Sequence, residues 1–115
     1  MLVYLDDAAV NRLTQSLKPA SVNKLYKLFS DEVGRLKINI HLSLKELKED
    51  KLHEYAHALK GCAGNYGALN LARLAQDLEK SKIHANNTKK LVEQVSLQCE
   101  EAQKEALSIA NNYKN

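Results

Sequence analysis

Residues 53–67 read HEYAHALKGCAGNYG. Together with Leu52, which precedes the stretch, Ala56, Leu59, Ala63 and Tyr66 recur at steps of three and four. At roughly 100° per residue they fall within about 40° of one line, the apolar stripe of a helix facing a core. Asp50 is placed to cap the start of that helix. Gly67 ends it, because glycine takes the left-handed cap conformation without steric penalty.

Outward from this helix the same period continues. Ala9, Val10, Leu13 and Leu17 mark a helix over residues 6–17, with Asp6 and Asp7 where the helix dipole favours negative charge. Lys18-Pro19 breaks it, since the residue before proline avoids the helical region. Val22, Leu25, Phe29, Leu36, Ile40 and Leu47 define one long helix over residues 21–49, with a kink expected near Gly34. Leu71, Leu74, Ala75 and Leu78 mark a fourth helix. IHANNT, residues 83–88, reads as a loop in which Thr88 caps the last helix, and that helix carries Leu91, Val95, Ala102, Ala106, Ile109 and Tyr113. No segment alternates as a strand would, and one proline and four glycines are too few for a sandwich or barrel. Helices joined by short loops pack antiparallel. The chain is therefore expected to be one all-α domain over residues 1–115, an up-down antiparallel four-helix bundle with a short extra N-terminal helix.

Composition narrows the function. The net charge of +3 comes from 17 basic and 14 acidic residues whose signs are interspersed, as in KELKEDK, so they describe a solvated surface. No basic stripe is interleaved with aromatics, which argues against nucleic-acid binding. No run approaches the roughly 20 apolar residues of a membrane span, and the N-terminus lacks the pattern of a signal peptide. Two cysteines, Cys62 and Cys99, make no disulfide framework and are read as reduced thiols packed in a cytoplasmic protein.

The opening stretch also holds the chemistry, in two competing forms. Its first five residues spell H-E-x-x-H, a zinc signature, and histidines four apart can share a metal. The extended form would need glycine at position 60 and histidine at 63, where the chain has Lys60 and Ala63. A carboxylate third ligand from a later helix could be Glu79, but nothing marks it. Read forward from His57 the pattern is stronger. His57 lies about 140° from the core stripe, with Lys60, Gly61 and Gly64 around it on the exposed face. Each interior glycine costs about 1 kcal/mol relative to alanine, so two on a solvent face need a reason. Clearance for an approaching partner supplies one, and Lys60 places a cation beside the ring for an anion. A neutral imidazole is nucleophilic, and its ordinary pKa near 6.5 leaves it largely neutral at pH 7. The set therefore fits a histidine that carries a phosphoryl group. His53 is read as a bystander one turn earlier, and His41 and His84 as surface residues.

Residues 56–79, AHALKGCAGNYGALNLARLAQDLE, resemble the signature of histidine-containing phosphotransfer (HPt) domains. The pattern is roughly A-H-x-L-K-G, five residues, then G-x-x-x-L, and every fixed position matches. The resemblance implies a helical bundle of about this length. It also implies an intermediate in a multistep two-component phosphorelay, taking a phosphoryl group from a receiver-domain aspartate and passing it to another receiver domain. By position it makes His57 the phosphorylated nucleophile at Nε2, Lys60 the neutralising cation and Gly61 the small residue beside the ring. It implies receiver domains of response regulators or hybrid sensor kinases as partners. Mg²⁺ is expected on the receiver and no cofactor on this chain, which has no autonomous kinase activity in prospect. A monomer is expected, free-standing rather than cut from a hybrid kinase. At the position of Glu79, 22 residues after His57, many members carry glutamine. A carboxylate there would repel a phosphoryl group, so no supporting role is expected of it.

Overall fold

The computed structural model describes residues 2–113. Among these residues there are five helices and no strand: α1 (Asp7–Gln15), α2 (Pro19–Lys45), α3 (Glu49–Asn65), α4 (Leu69–Glu79) and α5 (Thr88–Asn112). α2 packs against α3 and α5, and α4 packs against α3 and α5, so the four long helices enclose one core with α1 attached through α2. This is the expected up-down bundle with its extra N-terminal helix.

The stripe that predicted α3 is buried as read. Leu52, Ala56, Leu59 and Ala63 are fully inaccessible, while Tyr66 is half-buried at the end of the helix. Its ring packs edge-on to Tyr26 and tilted against Phe29, with centroids 5.7 and 4.5 Å apart. Burying a side chain such as Leu, Val or Phe stabilises by roughly 1.5–3 kcal/mol. The buried set of Val22, Phe29, Leu36, Ile40, Leu71, Leu78 and Val95 is therefore what holds the helices together.

Helix ends depart from the expectations in instructive ways. Asp6 does cap α1, its carboxylate accepting from Ala9 N–H at 3.0 Å, but the helix ends at Gln15 rather than Leu17. Pro19 does not merely interrupt the chain. It is the first residue of α2, a place where its missing N–H costs nothing. α2 stops at Lys45, earlier than residue 49, because Leu47 adopts a left-handed φ of 56°. α3 then starts one residue before Asp50, with Lys48 at the cap position and no side-chain cap bond. Asp50 lies in the first turn, where its charge still suits the dipole. Thr88 is likewise not a cap. It is the first residue of α5, fully buried, and its hydroxyl donates to the Lys82 carbonyl at 2.6 Å. α2 runs as one helix past Gly34, and the glycine serves a close approach there. A Cβ would stand 2.8 Å from the Gln103 side-chain nitrogen, which donates to the Ser30 carbonyl at 2.9 Å.

Gly67 closes α3 in the left-handed conformation expected, with φ of 78°. It has a second duty that periodicity does not reveal. The N-terminal segment crosses here, with Asp6 N–H donating to the Gly67 carbonyl at 2.8 Å. A Cβ at position 67 would lie 2.5 Å from the Ala9 Cβ.

Candidate functional site

His57 sits in the middle of α3, between the core residues Ala56 and Leu59, and its side chain is 67% exposed. The burial of Ala56 and Leu59 turns it outward, since neighbours in sequence on a helix point to different sides. A Cβ at Gly61 or Gly64 would meet nothing within 4 Å among the described residues. Internal packing therefore does not demand glycine at either position, and alanine would be the better helix former. What the two glycines leave is open space next to His57.

α4 completes the site. Its last residue, Glu79, reaches across to α3 and joins both polar residues of the motif. His57 Nδ1–H donates to Glu79 Oε2 at 2.7 Å, and Lys60 Nζ donates to Glu79 Oε1 at 3.1 Å. The Lys60 ammonium, with a further contribution from His57, holds the Glu79 carboxyl below the usual carboxylate range, while partial desolvation works against this. At neutral pH Glu79 is thus an anion that only accepts hydrogen bonds. The proton of neutral His57 must then be on Nδ1, and Nε2 keeps its lone pair. Half-exposed ion pairs of this kind add little to stability. The consequence here is orientation: the ring is fixed in rotation and tautomer, with its nucleophilic nitrogen away from Glu79.

His57, Lys60 and Gly61 are thus brought together as the sequence pattern requires. Glu79 is the correction: it has a positioning contact with both polar members of the motif. The expectation of repulsion considered only an incoming phosphoryl group and not the ring nitrogen on the other side. The signal available in the sequence was its place one helix later, at the end of a stripe that packs α4 on α3.

The two histidines of H-E-x-x-H do not converge. His53 is half-buried, and its Nε2–H donates to the Ser81 carbonyl at 2.5 Å, tying α3 to the loop after α4. Among the described residues no group of three or more His, Cys, Asp or Glu is arranged to hold a metal ion. Cys62 is half-buried between helices, and burial pushes its thiol up to about 11; burial pushes Cys99 up to about 12. Neither thiolate is available near neutral pH for nucleophilic work. No helix among the described residues is long and apolar enough to cross a membrane.

A helical bundle presenting one oriented, exposed histidine with a cation beside it defines a class, and comparison with known proteins agrees. The family model described as "Hpt domain" matches residues 24–108, most of the chain including all of α3 and α4. The chain belongs to the Hpt domain family, whose role is histidine phosphotransfer in phosphorelay signalling. Its fold is similar to the crystal structure of histidine-containing phosphotransfer protein B from Pseudomonas aeruginosa PAO1. That protein is 22% identical, with a TM-score of 0.89 over 99% of this chain and 100% of the other. No curated protein matches the chain in sequence.

Proposed function

We propose that His57 is the phosphoryl carrier. Its Nε2 accepts the group from a receiver-domain aspartate and gives it to an aspartate on another receiver domain. The observation that carries this reading is the Nδ1–H to Glu79 hydrogen bond of 2.7 Å. It leaves the nucleophilic lone pair on the nitrogen that faces solvent. Phosphoryl transfer passes through a loose transition state, so catalysis is mainly positioning and charge neutralisation. Lys60 supplies a cation and Gly61 and Gly64 supply room for the incoming receiver. In this reading the receiver brings the Mg²⁺. Residues 1–115 act in this reading as one cytoplasmic, monomeric phosphotransfer unit without kinase activity of its own.

Incubation with a phosphorylated receiver domain tests this. The expected product carries an acid-labile, base-stable label that is lost in His57→Gln and retained in His53→Gln. Equal dependence on both histidines, with stoichiometric zinc in the purified protein, would restore the metal reading and sink this one.

A further inference from the structure

The proton on His57 Nδ1 matters beyond the first transfer, given the reading of His57 as phosphoryl carrier. When the Nε2 lone pair attacks phosphorus, an N–P bond forms, the P–O bond to the donor breaks, and the donor aspartate leaves as a carboxylate. No proton has to move. The ring emerges phosphorylated at Nε2 and still protonated at Nδ1. In the onward step an acceptor carboxylate attacks phosphorus and the N–P bond breaks. With Nδ1 protonated, the ring leaves as neutral imidazole. Without that proton it would leave as imidazolate, a far poorer leaving group.

We propose that Glu79 keeps this proton on the phosphorylated ring, making phosphohistidine 57 a reactive transit form and not a store. Glu79 Oε2 lies 2.7 Å from Nδ1, and a carboxylate can only accept. A ring that lost the proton would aim its Nδ1 lone pair at an anionic oxygen at hydrogen-bond distance. An amide in the same place could turn its NH₂ group toward that lone pair and stabilise the deprotonated form. Glu79 has no such option. Its second oxygen is held by Lys60 at 3.1 Å, which fixes the carboxylate against rotation.

The other charges nearby are accounted for. On α3, His53 is engaged by the Ser81 carbonyl, and Glu54 is paired with Lys51. After α4 comes Lys80, which has no ion pair among the described residues. α2 presents Glu32 and Arg35 to the opposite side of α3, beside Cys62 and Tyr55. The Lys60 ammonium opposes Glu79, since it disfavours a cationic ring. Removing either partner should therefore move the ring proton in opposite directions, which loss of a merely structural contact would not do.

The test uses the whole chain labelled with phosphoramidate, a small donor that needs no receiver. The ³¹P resonance of the phosphohistidine is followed against pH, together with its lifetime. In Glu79→Gln the deprotonation midpoint should fall by about one pH unit, the size of a charge-assisted hydrogen bond. Above both midpoints the label should then last about tenfold longer than in the wild type. In Lys60→Met the midpoint should rise. Thermal melts establish that each variant is folded; if Glu79→Gln is not, the rise in Lys60→Met carries the test. Coincident midpoints for wild type and Glu79→Gln, or a fall in Lys60→Met, overturn the proposal while leaving His57 as carrier. A wild-type chain that takes no label at His57 overturns both.

Discussion

Tyr26 shows how one atom can oppose the fold around it. Its ring is fully buried and stacks edge-on to Tyr66, yet its hydroxyl is a buried polar atom with no hydrogen-bond partner among the described residues. Burial pushes the phenol up to about 12. A hydroxyl removed from water without a partner costs about 1–3 kcal/mol. Tyr26→Phe keeps the ring and deletes that atom, so it should raise stability by about 1 kcal/mol. A urea titration with an unchanged slope and a higher midpoint would show this. A lower midpoint would mean that the hydroxyl has a partner in solution. His57, also a single residue, follows the opposite rule: its Nδ1 is matched by Glu79, and its Nε2 is the atom to which the proposed transfer assigns the phosphoryl group.

At the scale of elements, the ends of the helices were harder to read than their middles. The α2 stripe of Val22, Phe29, Leu36 and Ile40 was plain in the sequence and is buried throughout. Its end was not, because Leu47 gives no local signal for a left-handed turn. It occupies that turn anyway, and the closing bonds run from Leu47 N–H to Leu44 and from Lys48 N–H to Ser43, at 3.1 and 2.9 Å. A left-handed β-carbon costs roughly 1–2 kcal/mol, offset in part by the backbone freedom that glycine adds to the unfolded chain. Leu47→Gly should therefore stabilise by about 0.5–1 kcal/mol, the more so because Leu47 is 57% exposed and buries little. Gly67→Ala should do the reverse and cost more than 2 kcal/mol, since it adds both the strained φ and a collision with Ala9. Chemical denaturation of the two variants side by side checks the opposite signs.

Across the whole molecule, the N-terminal segment is held by a residue about a hundred positions away. Glu105 on α5 accepts from the N–H groups of Val3, Tyr4 and Leu5 at 2.6, 2.9 and 2.8 Å. Leu5 is buried beside this contact, and Asp6 then bonds to Gly67 at the end of the histidine-bearing helix. One carboxylate thus straps the start of the chain across the end of α3. Charge-assisted hydrogen bonds of this kind contribute more than neutral ones, and their partial exposure reduces that. Glu105→Ala should cost about 1–2 kcal/mol. Hydrogen exchange should show amides 3–5 losing protection first, while the middle of α3 keeps its own. Equal loss along both segments would mean that the strap and the bundle open as one unit.

By itself the sequence determined the helical class, the buried face of each helix and the set of His57, Lys60 and Gly61. All of these are written in spacings of three and four within one helix, and helical geometry turns such spacings directly into faces. Only the tertiary structure decided what each polar side chain would meet. Glu79 against His57, Thr88 against Lys82, Glu105 against the N-terminus and Gln103 over Gly34 all join positions on different elements. Their partners depend on how helices are laid side by side, and no period along the chain encodes that. The candidate nucleophile was therefore legible in the sequence, and the carboxylate that bonds its Nδ1 was not.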